Sequence, residues 1–264
     1  MKCKICNENN CLEEFTKDVI KCTNCGSLYS TSTLDEENPI IASVNNNSKL
    51  SAQKKISKLI AKSYLVYLKK KTRMNFKNAL DIGCGFGDFV EELNKIGINA
   101  SGIESDADTV KNAKPHVNCG LFDESYDSMT KYDLISINQA LYYFKNSFEI
   151  IEKISSLLEV NGIILIATVN TESSFRQKHK IWTQGCKMCL GNKIWQDFDK
   201  FGLNCIDITS YNDSLYIDFF LQKTDHISNP KFLRNTLLYL SAIKKIIVTK
   251  EDGINNFILL QKVR

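Results

Sequence analysis

The stretch Ala79-Leu80-Asp81-Ile82-Gly83-Cys84-Gly85-Phe86-Gly87-Asp88-Phe89 decides how this chain is read. A short apolar run, Asn78 to Ile82, ends in three alternating glycines and leads straight into a helical pattern over Asp88 to Ile96. Glycines at such a turn let backbone approach a ligand closely at the carboxyl end of a sheet. The pattern therefore predicts a nucleotide-type ligand, and its details narrow the choice. A dinucleotide fingerprint needs glycine at the sixth position from Gly83, where Asp88 stands, and a phosphate loop needs a Gly-Lys-Ser/Thr ending that does not follow. Asp81 and Asp88 would repel a pyrophosphate but suit a ligand that carries positive charge.

Working outward, a second strand over Ala100 to Glu104 ends in Ser101-Gly102-Ile103-Glu104-Ser105-Asp106, which sets Glu104 21 residues beyond Gly83. A carboxylate at that strand end can accept both hydroxyls of a ribose. The alternation then continues with a helix over Ala107 to Ala113, a strand over Tyr132 to Asn138, a helix over Ser147 to Leu158 and a strand over Gly162 to Val169. A helix over Lys193 to Phe201, a strand around Cys205 to Ser210, an extended segment Ser214 to Gln222, a helix over Pro230 to Lys245 and a strand over Asn256 to Val263 complete it. Upstream, Ile56, Leu59, Ile60 and Ser63 fall on one face of an amphipathic helix that begins near Ser51. Strands and helices in this order predict an α/β fold, a doubly wound and mostly parallel sheet covered on both faces.

Residues from about 50 onward resemble a class I methyltransferase, the family that uses S-adenosylmethionine as methyl donor. Leu80-Asp81-Ile82-Gly83-Cys84-Gly85-Phe86-Gly87 matches that family's first signature and Gly102-Ile103-Glu104 its second. The donor's ammonium and sulfonium fit the two carboxylates of the glycine turn. The resemblance implies a seven-stranded Rossmann-like sheet and places Asp81, Gly83, Cys84, Gly85, Gly87, Glu104 and Ser105 around the donor. It also makes Asp123, in Gly120-Leu121-Phe122-Asp123, a candidate adenine contact with Phe122 as ring neighbour, and sets Asn138 at the end of the fourth family strand. Asn161-Gly162 supplies the turn before the fifth.

One part of the family pattern is missing. Many members that methylate small oxygen nucleophiles carry a Glu-His pair after the fourth strand, where this chain reads Gln139-Ala140-Leu141-Tyr142-Tyr143-Phe144. Tyr142 and Tyr143 are candidates to line the transfer pocket, with packing as the alternative. Of the three histidines, His116, His179 and His226, the second follows the fifth family strand and is the candidate base, against the reading of a solvated loop histidine. In-line displacement from a sulfonium depends mainly on positioning, so a missing base leaves the acceptor undetermined without arguing against activity.

The first 33 residues hold two Cys-x-x-Cys knuckles, Cys3-Lys4-Ile5-Cys6 and Cys22-Thr23-Asn24-Cys25, separated by 15 residues. That is the spacing of a closed four-thiolate zinc site, which is structural because no coordination position stays open. Cys11 falls between the knuckles and is not expected as a ligand; Cys186 and Cys189 form a third pair read as ordinary thiols. The expected organisation is a zinc ribbon over 1–33, a linker over 34–50 and the methyltransferase domain over 51–264.

With 43% hydrophobic and 24% charged residues and a net charge of +4, the 264-residue chain is expected to be globular, and its balance neither demands nor excludes nucleic acid. Lys2, Lys4, Lys17 and Lys21 in the ribbon are offset by Glu8, Glu13, Glu14 and Asp18, which disfavours a phosphate-binding surface. No apolar run is long enough to span a membrane and no signal peptide is visible, so a cytoplasmic location is expected. The acceptor expected is a small molecule, in line with zinc-front-domain sugar methyltransferases. An RNA acceptor gripped by the ribbon is the alternative, and a non-catalytic donor-binding partner protein the second alternative.

Overall fold

The computed structural model describes residues 1–31, 47–183, 185–212 and 252–263. The expected linker lies mostly outside them, as do Ser214 to Gln222, Pro230 to Lys245 and His226. The N-terminal part contains β1 (Leu12–Thr16), β2 (Val19–Cys22) and β3 (Leu28–Ser30). The larger part runs α1 (Asn47–Lys71), β4 (Asn78–Ile82), α2 (Asp88–Lys95), β5 (Asn99–Glu104), α3 (Ala107–Val110), β6 (Val117–Cys119) and β7 (Tyr132–Asn138). It continues with α4 (Ser147–Leu157), β8 (Leu158–Val169), α5 (Ser174–His179), β9 (Met188–Cys189), α6 (Asn192–Trp195), β10 (Leu203–Tyr211) and β11 (Asn255–Lys262).

Seven strands form one sheet in the order β10-β11-β8-β7-β4-β5-β6. The run from β8 to β6 is parallel, and β11 pairs antiparallel with both β8 and β10. This is the doubly wound Rossmann-like methyltransferase architecture. Its central strands are buried on both faces, so alternate residues feed two cores. Leu80, Ile82, Ile135, Ile137, Ile164 and Ile166 pack toward α4 through Ile150, Ile151 and Ile154. Ala79, Leu134, Ile163, Leu165 and Phe257 pack toward Tyr64, Leu65 and Leu68 of α1 and Phe89, Val90 and Leu93 of α2.

Several element limits differ from the sequence expectation. The helix over Ala107 to Ala113 closes at Val110, and that over Lys193 to Phe201 breaks into α6 and a separate 3-10 turn at Asp199–Phe201. Strand β8 starts at Leu158, four residues earlier than expected, because Asn161 takes a left-handed φ of 68° and lets the chain bulge against β7. Strand β6 is short and half exposed, with no apolar alternation to announce it.

The cysteine-rich segment does not stand apart. Leu28 and Tyr29 of β3 pair antiparallel with Cys189 and Met188 of β9, giving a four-stranded sheet β1-β2-β3-β9 whose last strand comes from the larger domain. Cys186 and Cys189, expected in a polar stretch, are buried in one cluster with Phe15, Val19, Leu28, Tyr142 and Val169. Covering the open edge of β3 removes its unpaired backbone groups from solvent. Among the described residues, no helix is long and apolar enough to cross a membrane.

Candidate functional site

A cavity of about 460 Å³ opens at the carboxyl ends of β4, β5 and β7, with α1 along one wall. Its floor is the glycine turn. Gly83 takes φ 65°, and a Cβ there would sit 2.7 Å from the Cβ of Ala140, so both conformation and space demand glycine. The Gly83 and Cys84 amides donate to the Ile103 carbonyl at 2.9 and 3.2 Å, tying the turn to the neighbouring strand. Gly85, at φ 56°, has nothing among the described residues within 4 Å of where its Cβ would be, and its backbone lines the cavity.

Four carboxylates line this cavity: Asp81, Asp88, Glu104 and Asp106. Asp81 accepts from the Ser136 hydroxyl at 2.6 Å and from the Asn138 side-chain amide at 3.4 Å. Burial raises its pKa to about 7, and the nearby Glu104 adds to the rise. Glu104 accepts from the Gly85 amide at 2.9 Å and the Asp106 amide at 3.0 Å, which fixes its carboxylate beside the glycine turn. Two further acceptors are sealed from solvent without a hydrogen-bond partner among the described residues: Oδ1 of Asn138 and Oδ2 of Asp88. Buried polar atoms are nearly always paired, so two orphan acceptors on residues that line one cavity point to a ligand rich in donors.

Gln139, which lines the same cavity, was not singled out from sequence. It takes a left-handed φ of 56°, an uncommon conformation for a non-glycine residue and one that clusters at functional sites. Its side chain accepts from the Tyr142 hydroxyl and donates to the Tyr211 hydroxyl, both at 3.0 Å. Ser57, Ile60, Ala61 and Tyr64 of α1 also face the cavity. Only spacing along a helix marks them, and spacing alone reads equally as core.

The residues expected from sequence divide into two sets. Asp81, Gly83, Cys84, Gly85, Glu104 and Asn138 meet at the cavity. Gly87 closes the turn, at φ 75° as N-cap of α2, and Ser105 is exposed beside Glu104 with its hydroxyl 3.4 Å from that carboxylate. Phe122 is buried against the ring of Tyr126, and Asp123 accepts from the amide and hydroxyl of Ser125 within its own turn, bonds that lower its pKa. Neither is among the cavity-lining residues. Tyr142 is buried beneath Gln139 and meets the ring of Tyr143 edge-on at 4.6 Å. His179 ends α5 with its ring 4.6 Å from Phe175, away from the cavity wall.

At the other end of the chain, the sulfur atoms of Cys3, Cys6, Cys22 and Cys25 lie within 4.8 Å of one another. Zinc–sulfur bonds of about 2.3 Å in a tetrahedron put sulfurs about 3.8 Å apart, so the set fits one ion. The Ile5 and Cys25 amides point to the sulfurs of Cys3 and Cys22 at 3.4 and 3.5 Å, donors suited to thiolates. The Cys11 sulfur lies 3.4 Å from that of Cys22 but outside the set of four. The cluster is braced against the larger domain: the Gly191 amide donates to the Ser27 hydroxyl at 2.9 Å, and Lys21 donates to Gln177 at 2.9 Å.

A doubly wound seven-stranded sheet with this cavity at its strand ends is the architecture of class I S-adenosylmethionine-dependent methyltransferases. Residues 52–207 match the family described as methyltransferase domain, and the chain belongs to that family. It is 30% identical over 121 residues to a ubiquinone biosynthesis O-methyltransferase of Glaesserella parasuis, covering 40% of this chain and 51% of that one. It is 31% identical over 113 residues to a malonyl-[acyl-carrier protein] O-methyltransferase of Ilyobacter polytropus, covering 39% and 44%. The chain thus spans about half the length of the curated relatives it matches. Among solved structures, a SAM-dependent methyltransferase from Archaeoglobus fulgidus superposes with a TM-score of 0.55 at 17% identity, over 82% of this chain and all of that one. The [4+2]-cyclase SpnF superposes at 0.52 and 16% identity, over 76% and 80%. Both likenesses are of fold alone, and a cyclase on this fold shows why function has to be argued from the site.

Proposed function

We propose that the chain is a methyltransferase that moves the methyl group of S-adenosylmethionine to an oxygen of a small-molecule acceptor, with a structural zinc ion in its N-terminal ribbon. The observation that carries the reading is a cavity with four carboxylates in its wall, in which Asn138 Oδ1 and Asp88 Oδ2 have no donor among the described residues and Glu104 is already aimed by two backbone amides. An ammonium and two ribose hydroxyls supply the donors that these atoms lack, and a sulfonium adds positive charge to set against the carboxylates. Asp81 and Asn138 hold the amino acid end, and Glu104 takes the ribose hydroxyls.

When bound, the donor supplies an electrophilic methyl carbon on a good leaving group. The protein's part is to bring donor and acceptor to near-attack distance and to keep water out. Gln139, locked between Tyr142 and Tyr211, holds the acceptor side of the cavity in one shape. The names of the two curated relatives specify O-methyl transfer, which supports an oxygen acceptor. An activated sugar or surface-polysaccharide precursor remains the acceptor favoured from the sequence. The zinc ion would be held by Cys3, Cys6, Cys22 and Cys25, with every coordination position filled by sulfur.

Calorimetric titration with S-adenosylmethionine and with NAD tests the donor. Micromolar binding of S-adenosylmethionine alone is expected, weakened about 100-fold in Asp81→Ala and in Glu104→Ala, as loss of a charge-assisted contact implies. Binding of NAD, or of neither ligand, would sink the assignment. Radiolabelled methyl transfer into pooled nucleotide sugars and small phenolic acids, set beside total RNA, tests the acceptor. Label in RNA alone would overturn the small-molecule reading.

A further inference from the structure

We propose that Asp88 makes the cavity prefer the charged methyl donor over its neutral demethylated product, so that it reads the charge lost in the reaction. The inference rests on the donor assignment above and adds a residue and a selectivity to it. Asp88 is the first residue of α2, lines the cavity and is only 4% exposed. Its Oδ2 is shut off from solvent with no hydrogen-bond partner among the described residues.

The other three cavity carboxylates are engaged within the protein. Asp81 accepts from Ser136 and Asn138, Glu104 from the amides of Gly85 and Asp106, and Asp106 from the Asp108 amide and the Thr109 hydroxyl. No Lys, Arg or His is among the described lining residues. The ammonium of Lys54 sits over the ring of Phe86 at 5.5 Å. On the following turn of α2, the ammonium groups of Lys95 and Lys114 are paired with Glu91. A buried, unpartnered carboxylate is costly in the empty protein, and a cation entering the cavity offsets that cost.

Methyl transfer breaks the sulfur–methyl bond, and its electron pair stays on sulfur. The sulfonium becomes a neutral thioether while the rest of the ligand keeps its charges. A carboxylate sharing a cavity of this size with that sulfur loses one unit of attraction at the moment of transfer. At the effective dielectric of a protein site this changes relative affinity by about tenfold or more. Asp88 would therefore favour donor entry and product release.

Titration of the full chain with S-adenosylmethionine and with S-adenosylhomocysteine tests this in the wild type, in Asp88→Asn and in Asp88→Glu. The ratio of product to donor Kd is expected to fall about tenfold in Asp88→Asn and to stay within about twofold of wild type in Asp88→Glu. Asp88→Ser, which also suits a helix start, repeats the test should the amide variant fold poorly. An unchanged ratio in the uncharged variants, including an equal loss for both ligands, overturns the role of Asp88 and leaves the donor assignment standing. If the wild type binds neither ligand, both readings fall together.

Discussion

The glycine turn and the cysteine knuckles are both short motifs of small or sulfur-bearing residues, yet the fold holds them by opposite means. The turn is made by its scaffold: β4 is flanked by β5 and β7, and the Gly83 and Cys84 amides are fixed on Ile103 before any ligand arrives. The knuckles have no such frame. Three strands of three to five residues cannot bury enough apolar surface to hold themselves, so their order comes from four sulfurs and from docking on β9 and Gly191. Ligand removal should therefore leave the first site intact and dismantle the second.

The largest effect expected is that of metal removal. Elemental analysis should find about one zinc per chain. Binding free energies of structural zinc sites run on the order of 10 kcal/mol and appear as folding free energy. Chelation, or Cys22→Ser, should thus lower Tm by about 10 °C or more, given roughly 2–4 °C per kcal/mol at this chain length. Donor affinity should change by less than about threefold, because no described ribbon residue lines the cavity. Collapse of donor binding along with the metal would break the contrast and show that the cavity, too, depends on the ribbon.

A smaller effect isolates docking from metal binding. A Cβ on Gly191 would stand 2.0 Å from the Cys25 carbonyl oxygen and 2.7 Å from the Gly26 carbonyl carbon, both backbone atoms that cannot swing away. Gly191→Ala should cost about 1–3 kcal/mol, as overpacked sites do, with a matching fall in Tm and with zinc content retained. Loss of the metal in this variant would show that docking and coordination form one cooperative unit.

The same contrast explains what the sequence revealed. A strand, a glycine turn and a carboxylate at fixed spacing are local, so most of the residues that meet at the cavity, Asp81, Gly83, Gly85, Glu104 and Asn138, were legible, and so was the succession of central strands and helices along the chain. Cysteine spacing was local in the same sense. What stayed hidden depends on contacts between distant segments. The pairing of β3 with β9 joins residues about 160 positions apart, and neither Met188 nor Cys189 carries a periodic signal long enough to mark a strand. Gln139 looked like an unremarkable residue in a stretch lacking the family's histidine, because its left-handed backbone and its two tyrosine partners exist only in the fold. Phe122 and Asp123 were placed by family resemblance rather than by their own chemistry. The structure turns one into the core and the other into its own turn.

The smallest effect sharpens the contrast from the donor side, through pH. Burial holds the Asp81 carboxyl at about 7, far above the 3.8 of an exposed aspartate. In the empty protein a raised carboxyl pKa favours the folded state below the unfolded value. That contribution is lost as pH rises through the window from about 4 to 7. Donor binding has the opposite sign, because the ligand's ammonium needs the ionised carboxylate. Affinity should be highest between about pH 7 and 8, since above that range the ligand's own α-amino group begins to lose its proton. Below 7 it should weaken about tenfold per unit, as protonated Asp81 must first give up its proton. Kd measured by titration from pH 5.5 to 8 checks this, with Asp81→Asn as the control whose weaker binding should be nearly flat over the acidic half. A wild-type profile as flat as that of the variant would mean that Asp81 is already ionised in the empty protein. The cavity would then carry its full negative charge before the donor enters, and its scaffold would offset the burial of that carboxylate unaided.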